Sequence, residues 1–362
     1  MLSITEQAIE LLKLLIQTES FSKQEQATAE IINQFLQGYG VPTHRYLNNV
    51  WAINKYAQPG LPTVLLNSHH DTVKPNQAYT RNPFEPTVQD GKLYGLGSND
   101  AGGCLVSLLA SFMHLYAAPN LPFNLVVAAT AEEEISGPNG VEALLQHPYF
   151  WETCLATPAF TNWSAIVGEP TLLNLATAER GLMVVDIAVE GVAGHAARNE
   201  GVNSIDKATP ILQWLQSQPF TKHSPLLGST KTTVTGIYTQ NTQHNVVPPL
   251  CTLMVDVRVN ELYSFQEVLQ TMQQHIPATV TPRSCRLKSS VIETNHPLVQ
   301  AGLALGKTEY GSPTTSDKAL MPFPALKMGP GDSARSHTAD EFIYVTEVEQ
   351  GIETYLALLQ RL

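Results

Sequence analysis

Thiols are scarce in this chain. Cys104, Cys154, Cys251 and Cys285 are its four cysteines in 362 residues, scattered and without a Cys-x-x-Cys pair. Reduced thiols in a cytoplasmic protein are the simplest account of them. Basic residues are also short, 21 Lys and Arg against 32 Asp and Glu, for a formal charge of -11. Such a balance argues against nucleic acid or an anionic membrane as the main partner. No apolar run approaches the length needed to span a bilayer. The N-terminal stretch from Met1 to Thr18 is an amphipathic helix pattern, with Glu6 and Glu10 among Ile4, Ile9, Leu12, Leu15 and Ile16, and lacks the basic start and cleavage site of a signal peptide. Long polar or repetitive tracts are missing too. What remains is a globular composition with 43% hydrophobic residues, long enough for two domains.

The stretch from Thr63 to Val73 organises the chain. Val64-Leu65-Leu66 has the length of a buried strand, and the run ends in Ser68-His69-His70-Asp71. Alternate side chains of an extended segment share a face, so His69 and Asp71 point the same way. A histidine beside a carboxylate suits a metal ligand with its orienting partner; a strand end running into a polar turn has the same pattern. Further acids recur at comparable places. Asp100 follows a glycine-rich stretch and precedes the apolar helix Leu105 to Tyr116, where it could also act as an N-cap. The run Phe123 to Ala129 leads into Glu132-Glu133-Glu134, and Ala165-Ile166-Val167 leads into Gly168-Glu169-Pro170. Sites in open α/β sheets form beyond the carboxyl ends of strands, so these segments direct His69, Asp71, Glu134 and Glu169, with Asp100, towards one crevice. Residues 74–90 read as a surface loop.

From about Leu175 the texture changes. The pattern is strand, helix, strand, strand, helix, strand over Gly181–Val189, Asn203–Gln216, Thr232–Tyr238, Leu250–Val259, Ser264–His275 and Ala278–Arg286. That is the split βαβ order of a ferredoxin-like domain, inserted within a larger one. A late glycine-rich loop then runs from Gly329 through His337 to Glu341, and a helix over Glu347–Leu362 closes the chain.

Seven motifs in order now carry a resemblance: Ser68-His69-His70-Asp71-Thr72-Val73, Gly97-Ser98-Asn99-Asp100, Glu132-Glu133-Glu134, Gly168-Glu169-Pro170, Gly194-His195-Ala196-Ala197, Asn245-Val246-Val247-Pro248 and Ser336-His337. Over nearly its whole length the sequence resembles the dinuclear zinc amidohydrolases and exopeptidases that include acetylornithine deacetylase and succinyl-diaminopimelate desuccinylase. The resemblance implies an α/β zinc-exopeptidase-like catalytic domain, a mixed sheet flanked by helices, over 1–174 and 289–362. It also implies an inserted ferredoxin-like α+β domain over 175–288, acting as a lid and pairing surface in homodimers. Asp100 would bridge two Zn²⁺ ions, with His69 and Glu169 completing one site and Glu134 and His337 the other; Co²⁺ or Mn²⁺ could substitute. Asp71 would orient His69, Glu133 would be the general base, and His195 would stabilise the oxyanion. Asn245 and Arg258 would bind substrate, though Arg258 reads equally as a strand residue in a surface ion pair. His70, Glu132 and Ala101-Gly102-Gly103 depart from the family pattern and bear on substrate choice. The implied reaction is deacylation of an N-acyl amino acid, first N-acetylornithine to ornithine and acetate in arginine biosynthesis. N-acetylcitrulline or an N-succinyl amino acid is the near alternative. A dipeptidase or a non-catalytic metal-binding homologue is more distant.

Overall fold

The computed structural model describes residues 3–198 and 200–362. The chain forms two compact units. The first takes the chain up to Thr177, then Ile292–Tyr310 and Ser316–Leu362; the second takes Ala178–Val291 and Gly311–Thr315. The sequence reading has no sign of the short return at Gly311–Thr315, because so brief a segment cannot display a period. The helix expected from Met1 to Thr18 spans Ile4–Gln17, with Met1 and Leu2 outside the described residues. Ser3 starts it with a reciprocal cap, accepting from the Glu6 amide at 3.2 Å and donating its own amide to the Glu6 carboxylate at 2.6 Å.

Four parallel strands form the middle of the first unit's mixed sheet: Asn124–Thr130, Thr63–His69, Trp163–Val167 and Ala325–Lys327, in that spatial order. Asn49–Ile53 and His44–Tyr46 extend it antiparallel on one side, and Lys327 pairs antiparallel with Ala176 on the other. Strands covered on both faces read as continuous apolar runs. Val64 and Leu66 pack with helices Ile4–Gln17, Gln26–Gly38, Gly103–Leu115 and Val345–Leu359. Leu65, pointing the other way, packs with Trp51, Val126 and Phe150 beside helices Val141–Gln146 and Pro148–Thr153. The fold class is the one expected, an α/β unit with helices on both faces of a mixed sheet.

Register levels the strand ends. His69 stands opposite Thr130, Asn67 opposite Val167, and Lys327 opposite Val167 on the other side. The segments leaving these four strands therefore start side by side, and they carry Asp71, Glu133 and Glu134, Glu169, and the loop to His337. Residues 74–90 depart from the expected loop: Thr87–Gln89 joins Lys92–Tyr94 and Phe342–Tyr344 in a small antiparallel sheet, completed by a strand far along the chain.

The second unit is built on an antiparallel sheet of four strands in the order Lys231–Thr239, Leu250–Val259, Gly181–Glu190, Thr279–Pro282. Helices Ser204–Gln216 and Phe265–His275 share one buried cluster with Met183, Val185, Ile187, Cys251, Leu253 and Val255. The strict alternation of buried and half-buried residues along Leu250–Val259 is that of a sheet covered by helices on one face. With its intervening helices this is the ferredoxin-like order, and its last strand ends at Pro282, short of the Arg286 read from sequence. Among the described residues no helix is long and apolar enough to cross a membrane.

One glycine holds the sheet to its helix at the site. A Cβ on Gly168 would stand 2.7 Å from Leu108 Cδ1, 3.1 Å from Ser68 Cβ and 3.2 Å from Cys104 Cβ. The Gly168 carbonyl also accepts from the Ser68 hydroxyl at 2.8 Å. Gly168→Ala should therefore cost about 1–3 kcal/mol by overpacking, read as a lowered denaturant midpoint for the first unit.

Candidate active site

The level strand ends and one helix start bring five acids and two histidines together in the first unit. His69, ending its strand and buried, presents Nδ1 to the Asp71 carbonyl at 3.0 Å and to the Asp71 carboxylate at 3.4 Å. A carbonyl oxygen only accepts, so Nδ1 carries a proton and Nε2 is the atom turned to the cluster. From Nε2 it is 3.3 Å to Asp100 Oδ1, 3.9 Å to Glu169 Oε1 and 4.0 Å to Glu133 Oε2. The other Asp100 oxygen, Oδ2, is 3.6 Å from His337 Nε2, which lies 2.9 Å from Glu134 Oε2. Asp100 thus divides its two oxygens between two histidines. Donor atoms of His69, Asp100 and Glu134 lie within 4.8 Å of one another, as do those of His69, Glu133 and Glu169, and each trio could hold a metal ion.

Charge explains why such a set wants cations. Burial and then neighbouring Glu169 push the Glu133 carboxyl well above its ordinary value. Burial likewise raises Glu134, against the pull of His337. Glu169 is pushed up to about 8 by burial, which the Lys327 ammonium only partly offsets. The histidines respond in the opposite sense. Burial opposes charge on His69, but hydrogen bonding to Asp100 and Asp71 outweighs it and holds the imidazole well above its usual range. Glu134 draws His337 up to about 9. Nitrogen and carboxylate donors packed this closely, several resisting ionisation because they are buried beside one another, fit divalent cations.

Supporting contacts fix the set. The Asp71 carboxylate accepts from the Glu133 amide at 3.0 Å, the Glu134 amide at 3.2 Å and the Ser22 hydroxyl at 2.6 Å. It therefore orients both His69 and the acidic turn Glu133–Ile135. Ser22 had no signal in the sequence, being one of two serines in the short connection between two helices. Glu341, buried, accepts from three backbone amides around Asp100, and its spacing four residues past His337 was the signal available for it.

Two of the three departures from the family pattern, His70 and Glu132, find structural explanations. His70 points away from the cluster; its Nε2 donates to the Asn48 carbonyl at 2.9 Å and its Nδ1 faces the Thr28 hydroxyl at 2.9 Å. Burial lowers it to about 4, so it is a neutral pin between the sheet and helix Gln26–Gly38. Glu132 takes a left-handed conformation and turns its carboxylate to the Asn139 amide at 3.3 Å and side chain at 2.8 Å. Gly137 makes room, since a Cβ there would clash with the Glu132 carboxylate. Of the three glutamates, the last two face the cluster.

Three expected residues belong to the second unit. His195 is exposed, bridges in strand fashion to Val246, and lies next to Asn245, whose carbonyl accepts from the Ala196 amide at 3.0 Å. Arg258 is engaged by its strand neighbour Asp256 through Nε at 2.9 Å and Nη2 at 3.1 Å, the ion pair that was one of its two readings.

A mixed α/β sheet with a convergent histidine and carboxylate set at its carboxyl edge suits a metal-dependent hydrolase. The chain belongs to the peptidase family M20/M25/M40, which matches residues 65–361, and is a metal-dependent amidohydrolase of that family. It is 26% identical over 342 residues to the succinyl-diaminopimelate desuccinylase of Xylella fastidiosa, covering 87% of this chain and 86% of that one. To the enzyme of the same name from Rickettsia bellii it is 27% identical over 283 residues, 73% of this chain and 70% of the other. Among solved structures, a Staphylococcus aureus tripeptidase superposes with a TM-score of 0.77 at 17% identity, covering 98% of each chain. A Bacillus subtilis protein described as a dinuclear metal-binding peptidase of the M20 family gives 0.71 at 16% identity, over 98% of this chain and 97% of that one. At these identities the structures speak for the fold.

The charge pattern predicts a pH response. Glu169 and His337 have folded values of about 8 and about 9, above ordinary values of 4.5 and 6.5. Each contribution to stability is complete below the ordinary value and is lost as pH rises through the folded one. Chelated protein should therefore lose thermal stability between about pH 5 and about pH 9, and saturating Zn²⁺ should flatten that slope. Calorimetric midpoints across the window, with and without metal, check this.

Proposed function

We propose that the protein hydrolyses the amide bond of an N-acyl amino acid with a pair of divalent cations, Zn²⁺ by donor type and Co²⁺ or Mn²⁺ as substitutes. The observation that carries the reading is the division of the Asp100 oxygens between His69 and His337, 3.3 Å and 3.6 Å away. Asp100 would be shared by the two cations, His69 and Glu169 would hold one of them, and Glu134 and His337 would hold the other. Bound cations supply Lewis acidity at the scissile carbonyl and lower the pKa of water towards neutrality.

The chain's own residues then divide the work. Glu133 is the general base: its carboxylate stands among the ligand groups, 4.0 Å from His69 Nε2, placed to accept a proton from water and return it to the departing amine. Asp71 keeps the proton of His69 on Nδ1 and, through two backbone amides, fixes the adjacent glutamates in their separate directions. His195 is assigned to the oxyanion and Asn245 to the substrate by resemblance. Arg258 could grip a substrate carboxylate only by sharing or releasing Asp256. Homodimer pairing through the ferredoxin-like unit is implied by the same resemblance, and sedimentation tests it.

N-acetylornithine is the substrate that the motifs favour. The names of the relatives at 26–27% identity favour an N-succinyl diamino acid instead. A panel of N-acetyl and N-succinyl derivatives of ornithine, citrulline and diaminopimelate, scored by kcat/KM with metal-replete enzyme, decides between them; turnover of none overturns the deacylase reading. Glu133→Gln should retain both cations yet lose about 10²–10⁴-fold in kcat, whereas Glu134→Gln should lose affinity for one cation. Metal analysis beside kinetics checks both, and reversed phenotypes would exchange the two roles.

A further inference from the structure

Asp100 is held from behind by a residue that touches none of the ligand groups. Glu341 lies 2% exposed at the start of the small-sheet strand Phe342–Tyr344. Its Oε1 accepts from the Asn99 amide at 2.8 Å and the Asp100 amide at 2.9 Å, and its Oε2 from the Gly97 amide at 3.2 Å. Its backbone carbonyl accepts from Gly95 at 3.0 Å. Three amides converging on one oxyanion normally make a binding site for a foreign anion. Here the group that gathers them is a carboxyl side chain of the chain itself. The segment it fixes is irregular, with Asp100 at φ -118° and ψ 98°, outside helical values although helix Gly103–Leu115 follows at once. Backbone bonds from the Gly102 amide to the Gly97 carbonyl at 2.9 Å and from the Gly103 amide to the Ser98 carbonyl span the segment, while the Asp100 amide itself is taken by Glu341.

We infer that Glu341 is the positioning residue for the bridging carboxylate, setting where Asp100 divides between the two cation sites; the inference rests on the two-cation reading above. Because its side-chain hydrogen bonds all run to the segment that carries Asp100, losing it should weaken both cations together, unlike loss of a terminal ligand. Glu341→Gln keeps the size but replaces one oxygen with an amide group facing an N–H. Glu341→Ala leaves all three amides without their acceptor. Asp340→Asn is the control, since Asp340 anchors the same loop elsewhere, accepting from the Thr80 amide at 2.9 Å and the Arg81 amide at 3.0 Å.

The test is Zn²⁺ affinity by chelator competition on folded protein, with metal content by mass spectrometry and the melting temperature of the chelated form. Glu341→Gln should bind both cations about 10–100-fold more weakly, Glu341→Ala more weakly still, and Asp340→Asn like the parent. A Glu341→Gln protein that melts lower when chelated but binds both cations with parental affinity would overturn the inference, as would weakening at one site only. Should Glu341→Ala fail to fold, the isosteric variant still decides. Fewer than two cations on the parent protein would overturn the two-cation reading itself, an outcome separable from any behaviour of Glu341.

Discussion

Placing carboxylates side by side out of water is unfavourable unless positive charge stands between them, and that constraint shapes the first unit. Asp100, Glu133, Glu134 and Glu169 meet at one edge of a sheet, and burial raises three of the four. The compensation is organised in shells. His69 and His337 supply the nearest positive charge, backbone amides and the Ser22 hydroxyl stabilise Asp71, and the Lys327 ammonium bears on Glu169. Register is what allows the arrangement. Had one parallel strand slipped by a single residue, its site residue would have turned to the opposite face of the sheet.

Much of this was legible in the sequence because the same physics writes both pattern and position. Apolar runs ending abruptly in His69, Glu132–Glu134 and Glu169 could be buried strands that deliver polar groups at one edge, and the parallel sheet bears that out. Leu250–Val259, read as a strand, is one, and its buried and half-buried residues alternate along its whole length. The blind places share a cause: they depend on partners distant in the chain. Thr87–Gln89 reads as loop because its sheet is completed by Phe342–Tyr344. His70 and Glu132 looked like substrate-related departures, yet each finds its partners across space, at Asn48 and Thr28 or within a tight turn. The amides gathered by Glu341 belong to the backbone, which a residue pattern cannot display.

Two kinds of functional group are therefore distinguished in this molecule. Ligand-type side chains leave a signature, since their residue type is dictated by the chemistry they perform. Residues that hold them are chosen for length and hydrogen-bonding capacity, and several types would meet the need at most positions. Ser22 illustrates the second kind, a hydroxyl that steadies Asp71 at 2.6 Å without any motif of its own.

The order of the sheet also bears on how the molecule comes into being during synthesis. Ala325–Lys327 sits between Trp163–Val167 and Ala176, although the whole second unit separates it from them along the chain. A ribosome delivers His69, Asp100, both glutamates and Glu169 long before His337 and Glu341 emerge. Until then the nascent sheet has an unfilled edge on both sides of one missing strand, and its acids lack their last histidine. Such an edge is a template for wrong pairing between chains. The second unit, contiguous apart from Gly311–Thr315, can settle while the first still waits. Late closure thus ties completion of the polypeptide to completion of the metal site, so a truncated product ending before Ala325 would carry most of the ligands yet have neither a finished sheet nor a finished centre.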